Sequence, residues 1–376
     1  MRFIHTADWH LGKKLREHPL IDDQAYILNE FLKIIDDQKP EAIIIAGDVY
    51  DSGMPPVTAI DLFDEILTKL LLEKKIPVLC IAGNHDSSSR LNFGSRLFES
   101  NRLFLRTKTV ANIEPIILND EYGEICFSMI PYFYPSKVRE IFGIEEGLSY
   151  DDAAAKLVSE ARKYIKNNQR SVAVAHLFIK GATRSESEVE MVGGIDEINY
   201  EHFLDFNYVA LGHLHSPQYK KYEKIRYSGS LLKYSFDEEK QKKGIDVVDI
   251  DGEGSVKIES IPLIPKRDVR IVKGFLDDIL REQSATGDYI LARLKDDNPY
   301  NAGEKLRSAI YPNLLGVENV SEREITASIA LRERENLNDA ELFETFFKDM
   351  TGRAMNDQEY KAFMECMNDL KGGDGN

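Results

Sequence analysis

The stretch EAIIIAGD, residues 41–48, is a continuous apolar run that stops at a glycine and a carboxylate. Apolar runs of about four to six residues without alternation are typical of strands buried on both faces of a sheet. Helical patterns at residues 22–36 and 59–75 separate the early runs. Strands that alternate with helices predict a layered α/β domain with a largely parallel core sheet. Four further runs have the same form: RFIHTAD (2–8), IPVLCIAGNHD (76–86), SVAVAHL (171–177) and YVALGHLH (208–215).

Two more strands are expected in the first domain, at residues 123–135 and at residues 224–236, the latter antiparallel. We expect this domain to span residues 1–264. A compact α+β domain over residues 265–325 follows, then a charged linker at 326–338 and two amphipathic helices within 339–371. Helices this short cannot bury their apolar faces alone. The α+β prediction depends on strands at 269–274, 288–296 and 316–324 and on helices at 275–282 and 303–311.

Length, cysteine content and charge limit the classes of protein to which the chain can belong. A chain of 376 residues exceeds one ordinary domain. No apolar run approaches the roughly 18 residues of a membrane span. Cys80, Cys126 and Cys366 are widely spaced, and the first residues lack a secretory pattern, so we expect a cytoplasmic protein. The net charge of −16 argues weakly against nucleic-acid binding, because bound cations or a basic partner can reverse the local field.

Each of the five apolar runs ends in residues that can bind a metal ion. Loops at the carboxyl ends of strands converge on one crevice of an α/β sheet, so residues far apart in the chain can share a ligand. Carboxylate, amide and imidazole donors without cysteine suit Mn²⁺ or Fe²⁺ and accept Zn²⁺. The donors are too many for one ion, so we expect two ions with Asp48 as the bridging carboxylate. They are Asp8, His10, Asp48, Asn84, His176, His213 and His215.

Taken singly, each motif has an ordinary explanation. A glycine-aspartate pair after a strand is a common turn, GNHD (83–86) can form a tight turn, and GHLH (212–215) can carry surface histidines. Their occurrence at five strand ends favours the metal site. Asp51 is expected to support this site without binding metal. Three other histidines are expected to be structural: His5, His18 and His202.

The motifs DWH, GDVYD, GNHD, the isolated His176 and GHLH, in this order, resemble those of the calcineurin-like metallophosphoesterases. Longer strings resemble the SbcD family of bacterial nuclease subunits, and this resemblance covers almost the whole chain. It implies an α/β/β/α sandwich with a capping domain and a C-terminal helical pair. The strings are HTADWHLGKKL (5–15), AGDVYDSGMPP (46–56), AGNHDSSSRL (82–91) and YSGSLLKYSFDEEKQKKG (227–244).

The resemblance also implies a function and a role for each matching residue. The function is a Mn²⁺-dependent DNA nuclease, a 3′→5′ double-strand exonuclease and a single-strand or hairpin endonuclease, acting by two-metal phosphodiester hydrolysis. His85 would be the general acid, with Asp86 orienting its ring. One ion would be held by Asp8, His10, Asp48 and His215, and the other by Asp48, Asn84, His176 and His213. Contacts to the DNA backbone are assigned to Arg90 and to lysines of two clusters: Lys220, Lys221 and Lys242.

Partners are implied in the same way. The helical pair would dock on SbcC, an SMC-like ATPase, within a heterotetramer that contains a dimer of this chain. Residues 59–75 and 90–99 are the candidate dimer helices. Two alternatives remain open at this point. The first is a metallophosphoesterase for a small phosphodiester or a phosphoprotein, which the acidic composition mildly supports; the second is a largely structural scaffold that binds DNA ends.

Overall fold

The computed structural model describes residues 1–185, 188, 196–281, 285–297, 299–319 and 360. The chain divides into two compact units, one of residues 1–271 with 286–291, the other of the described parts of 272–285 and 292–376. The predicted linker and the predicted helical pair lie outside the described residues, apart from Tyr360. Within the described ranges, no helix has the length and apolar character needed to cross a bilayer.

The strands and helices follow the predicted alternation. In chain order the strands are β1 (Arg2–Thr6), β2 (Lys14–Leu15), β3 (His18–Pro19), β4 (Ala42–Ala46), β5 (Val78–Ile81), β6 (Leu103–Arg106), β7 (Ile116–Asp120), β8 (Gly123–Ile130), β9 (Arg170–His176), β10 (Phe178–Ile179), β11 (Glu197–Ile198), β12 (Tyr208–Gly212), β13 (Gln218–Tyr219), β14 (Ile225–Tyr227), β15 (Gly244–Ile250), β16 (Val256–Pro262), β17 (Val269–Gly274), β18 (Tyr289–Leu294) and β19 (Leu314–Asn319). The α-helices are α1 (Ile21–Gln38), α2 (Val57–Thr68), α3 (Ser88–Leu91), α4 (Ser95–Phe98), α5 (Pro135–Phe142), α6 (Tyr150–Arg162), α7 (Leu276–Arg281) and α8 (Ala302–Ala309).

Two six-stranded sheets form the first unit. The order in the first is β16-β15-β1-β4-β5-β6. Strands β1, β4, β5 and β6 are parallel to one another, whereas β15 is antiparallel to both of its neighbours, β1 and β16. The order in the second is β13-β14-β12-β9-β8-β7, in which β14, β12, β9 and β8 are parallel. Each sheet therefore has one edge at which several parallel strands end together.

The two sheets pack face to face, and helices cover their outer faces. Phe3 of β1 meets Phe127 of β8 edge-on, with ring centroids 5.8 Å apart. Side chains alternate between the two faces of a strand. Along β9, Val174 therefore packs in the core between the sheets, whereas Ala175 packs with residues of α5 and α6. On the first sheet, Ile43 of β4 is fully buried on the face opposite the second sheet.

Trp9 anchors the helices of the first sheet. It is fully buried, and its ring lies edge-on to Phe31 of α1 and Phe63 of α2, at 5.9 and 6.0 Å between centroids. Its indole N–H donates to Thr6 Oγ1 at 3.0 Å. This packing fixes the loop that follows β1, where the first two candidate metal ligands lie.

The second unit contains most of a three-stranded sheet of order β17-β18-β19, together with α7 and α8. Leu276 and Ile279 of α7 and Leu306 of α8 are buried. Strands and helices occur here in the order that the sequence predicted.

Two local predictions need correction. Residues 224–236 contain only the short strand β14, which is parallel to β12 and antiparallel to β13. Residues 90–99 do not form one helix, because Gly94 adopts a left-handed φ of 71° and separates α3 from α4. Such a residue interrupts the helical hydrogen-bond ladder.

Candidate metal centre

The predicted metal-binding side chains converge at the carboxyl ends of the parallel strands of both sheets. Asp8 and His10 follow β1, Asp48 follows β4, and Asn84 follows β5. In the second sheet, the ligands belong to the two central strands: His176 ends β9, and His213 and His215 follow β12. Residues from the two halves of the first unit thus face one another across a single cleft.

The backbone at this cleft is unusual. Asp8, His10, Asp48 and His213 have left-handed φ angles of 53°, 44°, 48° and 103°. A non-glycine residue in such a conformation costs about 1–3 kcal/mol, and this strain is typical of functional sites. The close approach of the loops also requires glycine, because a Cβ at Gly212 would lie 1.9 Å from the Ala46 carbonyl oxygen.

One group of donors surrounds His10 and His215. Their Nε2 atoms are 3.0 Å apart, and His10 Nε2 lies 3.6 Å from Asp48 Oδ2. Asp8 Oδ1 accepts the backbone N–H of His213 at 2.9 Å. The other oxygen of Asp8 is buried and has no hydrogen-bond partner among the described residues.

A second group surrounds Asn84. Its Oδ1 atom lies 3.0 Å from His176 Nε2 and 3.0 Å from His213 Nδ1. Asp48 belongs to both groups, since its Oδ2 is also 3.3 Å from His176 Nε2. Its other oxygen accepts the backbone N–H of His85 at 2.9 Å. Asp48 therefore has the central position that a bridging carboxylate requires.

The protonation states of three of the four candidate imidazoles match a cation site. The exception is His176: burial lowers its pKa, but the Asp48 and Asp8 carboxylates outweigh burial and raise that pKa to about 9. Burial lowers the pKa of His10 and of His213 below the usual value, and it lowers the pKa of His215 to about 4. These three rings are therefore neutral at neutral pH and keep a lone pair for a metal. Burial alone would raise the pKa of Asp48, but His176 holds that pKa well below its usual range.

Asp8 carries the clearest sign of an expected cation. Burial raises the pKa of its carboxyl well above the usual range, and the Asp48 carboxylate adds to the rise, although His176 opposes it. Burying a carboxylate oxygen without a partner is costly, and coordination of a cation removes that cost. The donor chemistry and this unpartnered oxygen together fit divalent metal ions.

His85 and Asp86 lie beside these donors, but their contacts differ from the expected ones. Asp86 does not orient the His85 ring: its carboxylate accepts the backbone N–H groups of Val49 and Gly83 at 3.1 and 2.9 Å and that of Tyr50 at 3.0 Å. The physical reason is that these amides would otherwise be buried without acceptors.

The group that faces the His85 ring is the backbone of Asp51. Nδ1 of His85 lies 2.9 Å from the Asp51 carbonyl oxygen, and because a carbonyl only accepts, Nδ1 carries a proton. The Asp51 side chain supports His10 instead, with Oδ1 3.3 Å from His10 Nδ1 and 2.8 Å from Lys13 Nζ.

Comparisons with known proteins identify the family of the chain. The family model described as calcineurin-like phosphoesterase matches residues 1–217, and one described as type 5 capsule protein repressor C-terminal domain matches residues 265–351. A curated relative, the D subunit of the nuclease SbcCD from Staphylococcus epidermidis, is 34% identical over 357 residues, which cover 93% of this chain and 94% of the relative. The chain belongs to the SbcD family of calcineurin-like phosphoesterases.

Two solved structures align with part of this chain at low identity. The crystal structure of TT1561 from Thermus thermophilus is 12% identical with a TM-score of 0.41, over 69% of this chain and 98% of its own. A dimetal phosphatase from Danio rerio is 10% identical with a TM-score of 0.42, over 70% of this chain and 96% of its own.

Membership of the SbcD family confirms the predicted fold class and the prediction that the chain is an enzyme, a metal-dependent phosphodiesterase. It also confirms the coarser cofactor prediction of divalent metal ions. In the described residues, two acidic-histidine groups have ligand atoms within 4.8 Å of one another: Asp8, Asp48 and His176, and His10, Asp51 and His85.

Sequence reasoning missed two residues of this SbcD-family site. Glu238 Oε1 lies 3.3 Å from Nδ1 of His215, and Glu238 Oε2 accepts a hydrogen bond from Lys243 at 2.6 Å. Both belong to the string at residues 227–244, in which the sequence suggested an individual role only for Lys242. The signal that could have found them is the run of charged residues in the second half of this string, DEEKQKKG at residues 237–244.

The two lysine clusters, which are Lys220, Lys221 and Lys224, and Lys240, Lys242 and Lys243, contain both buried and exposed side chains. Lys243 is buried, and the half-buried Lys224 donates from Nζ to the carbonyls of Leu204 and Phe206 at 2.6 and 2.8 Å. The four residues predicted to contact DNA are partly engaged. Arg90 donates to the Gly53 carbonyl at 2.6 Å, Lys221 donates to the Tyr200 hydroxyl at 2.9 Å, Lys242 is exposed and Lys220 is half-buried.

Proposed function

We propose that this chain is the Mn²⁺-dependent nuclease subunit of an SbcCD-type complex that processes DNA ends. The activity would be 3′→5′ exonuclease on double strands and endonuclease on single strands and hairpins. The observation that carries the proposal is the convergence of carboxylate, amide and imidazole donors around Asp48, with one Asp8 oxygen lacking a partner among the described residues. The similarity to a nuclease subunit along nearly the whole chain supports DNA as substrate.

The proposed ligands form two overlapping sets. Asp8, His10, Asp48 and His215 would hold one manganese ion, and Asp48, Asn84, His176 and His213 the other. Two bound ions would neutralise charge at the scissile phosphate and lower the pKa of the attacking water.

His85 is proposed as the residue that handles the proton of the leaving group. Its Nδ1–H is held by the Asp51 carbonyl, so Nε2 is the atom that can gain and release a proton. Asp86 is proposed to hold the loop that carries His85, because it binds the amides of Val49, Tyr50 and Gly83. Asp86 would thus affect catalysis by holding His85 in position.

The remaining parts of the chain are assigned by the same proposal. We propose that residues 1–264 form the nuclease domain, residues 265–325 the capping domain, and residues 339–371, after a linker at 326–338, the helices that dock on SbcC. The contacts to DNA are proposed for Arg90, Lys220, Lys221 and Lys242. A cytoplasmic location follows from this function.

A homodimer is proposed through the surface around α2 and α4. A groove of about 630 Å³ in this region is lined by apolar side chains that include Ile60 and Phe98. Phe93 and Leu97 are 83% and 76% exposed beside it. Apolar exposure of this kind is typical of protein interfaces and supports a second copy of the chain as the partner.

The test is degradation of a linear DNA duplex by the full chain, with and without its ATPase partner. A 3′ label should be released as mononucleotide in the presence of Mn²⁺, whereas a 5′ label should remain on progressively shorter strands. A chelator and the variant Asp48→Ala should both abolish the release. Rapid turnover of bis-p-nitrophenyl phosphate without any DNA cleavage, even with the ATPase present, would replace DNA by a small phosphodiester.

A further inference from the structure

The segment that follows the last metal-binding loop carries two buried charges which the proposed mechanism does not use. Glu238 lies in the 3₁₀ turn Asp237–Lys240, and Lys243 lies just beyond it. Their side chains are 0% and 4% exposed. Ionic side chains are rarely buried this completely unless they are paired and have a role.

Lys243 is fully engaged inside the protein. Its ammonium lies 2.6 Å from Glu238 Oε2, 2.7 Å from Gln241 Oε1, 2.9 Å from Ser230 Oγ and 2.7 Å from the backbone carbonyl oxygen of His215. An ammonium group has three protons to donate, so these acceptors saturate it. Lys243 therefore fixes both the Glu238 carboxylate and the backbone of His215.

The second oxygen of Glu238 faces the ring of His215. Oε1 lies 3.3 Å from His215 Nδ1, and since a carboxylate only accepts, this contact favours a proton on Nδ1. Nε2 then keeps its lone pair, and it is Nε2 that faces His10 at 3.0 Å. The backbone N–H of His215 is held separately by Glu188 Oε1 at 2.5 Å.

The other metal position is built differently. The Nδ1 atom of His176 lies 2.9 Å from the carbonyl oxygen of Ala46, which is a neutral acceptor. A carboxylate behind a ligating imidazole binds the ring proton more strongly than a carbonyl does and makes the ring a stronger ligand.

We propose that Glu238, held in place by Lys243, is a positioning residue for His215 and sets the metal affinity of the position that His10 and His215 share. The inference rests on the two ligand sets of the proposed function. It assigns a role at the metal site to Glu238 and Lys243 of this charged string, whereas the exposed Lys242 keeps its proposed contact with DNA.

Glu238→Gln tests the role with little change in shape. If the Gln oxygen faces His215, its amide hydrogens face the Lys243 ammonium. If the oxygen faces Lys243, the amide donates to Nδ1 and moves the ring proton to Nε2, where the lone pair is needed. Either arrangement should weaken metal binding at one position about 10–100-fold.

The measurement is binding of Mn²⁺ to the full chain, followed by the electron paramagnetic resonance signal of the free ion. The wild-type chain should bind two equivalents, and Glu238→Gln should weaken one and leave the other unchanged. The matched control is Asp237→Asn, which removes an exposed carboxylate from the same turn and should leave both unchanged. If Glu238→Gln binds both equivalents of Mn²⁺ with wild-type affinity, the inference about Glu238 is wrong and the proposed metal site still stands. If the wild-type chain binds no Mn²⁺, the proposed metal site is wrong as well.

A second variant separates positioning from folding. Glu238→Asp keeps a negative charge opposite Lys243 but withdraws the carboxylate from the ring. It should weaken the same equivalent and change the visible absorption of bound Co²⁺, while its melting temperature in chelator stays near that of the wild type. A Co²⁺ spectrum and an affinity identical to those of the wild type would show that Glu238 serves only the packing of this segment.

Discussion

The Nε2 atoms of His10 and His215 lie 3.0 Å apart, although the two residues are separated by 205 positions in the chain. Each ring has a carboxylate within 3.3 Å of its other nitrogen, Asp51 for His10 and Glu238 for His215. The Glu238 carboxylate favours a proton on Nδ1 of His215, so the lone pair on Nε2 of that ring faces His10. Such an arrangement suits two imidazoles that share one cation.

Mn²⁺ is therefore expected to stabilise the folded chain. At a free concentration one hundred times the dissociation constant, ligand binding adds about 2.7 kcal/mol to the free energy of unfolding. The measurement is the melting temperature with Mn²⁺ and with chelator. Asp48→Asn should lose this shift and His202→Ala should keep it, because His202 pairs with Asp151 away from the centre. If Mn²⁺ raised the melting temperature of Asp48→Asn as much as that of the wild type, the metal would bind at another site.

His85→Ala should separate turnover from metal binding. Loss of a general acid lowers the rate by about 10²–10⁴-fold. The His85 side chain is not among the proposed metal ligands, so the melting shift caused by Mn²⁺ should persist. Turnover is measured on labelled duplex, again with His202→Ala as the control. Wild-type turnover in His85→Ala would contradict the assigned role.

Because of its buried His5 side chain, the folded chain is expected to lose stability in acid. The His5 ring has Nε2 3.2 Å from the Leu211 carbonyl oxygen and Nδ1 2.8 Å from the Tyr208 hydroxyl. Burial lowers the pKa of His5 to about 3, while in the unfolded chain it is near 6.5. The unfolded state therefore binds more protons than the folded state between these two pH values. The contribution of the neutral His5 ring to the free energy of unfolding is complete above pH 6.5 and declines as the pH falls toward 3.

The slope of this decline is about 1.4 kcal/mol per pH unit at most. The measurement compares the free energy of unfolding of the wild type with that of His5→Gln, in chelator, from pH 7.5 to 4. The difference between the two chains should shrink steadily below pH 6.5. Parallel curves over this range would show that His5 does not titrate as its burial predicts.

Gly212→Ala should destabilise both the fold and the metal centre. The added Cβ would lie 1.9 Å from the Ala46 carbonyl oxygen and 2.9 Å from His176 Nδ1, so the strands of the two sheets would have to separate. Overpacking of this kind costs about 1–3 kcal/mol. Urea unfolding and Mn²⁺ binding measure the two effects. The control is Gly147→Ala, where a Cβ meets nothing within 4 Å.

The sequence was sufficient for features that depend on local pattern. Apolar runs predicted the buried strands, and the parallel arrangement explains why His10 and His215 meet despite their distance in the chain. The extended strings led to the SbcD family, which the comparisons confirm. The roles of individual site residues remain predictions, although the structure brings the proposed ligands together.

Other features depend on how segments fold back, and no local pattern carries them. Glu238 and Lys243 lie in a charge-rich string that gives no sign of burial, yet both side chains are buried behind His215. Asp86 was expected to bind a side chain, but its partners are backbone amides, and the sequence does not show which amides lack acceptors. The short strand β14 similarly depends on its neighbours in the sheet.

The left-handed φ angles at Asp8, His10, Asp48 and His213 have a consequence for laboratory evolution of this chain. Glycine adopts these angles without strain, so glycine at any of the four positions would relax the backbone and remove a proposed ligand. A screen that rewards heat resistance alone would therefore enrich robust but inert variants. A selection for useful variants should therefore require enzymatic turnover as well as heat resistance, because stability and catalysis favour different residues at the same four positions.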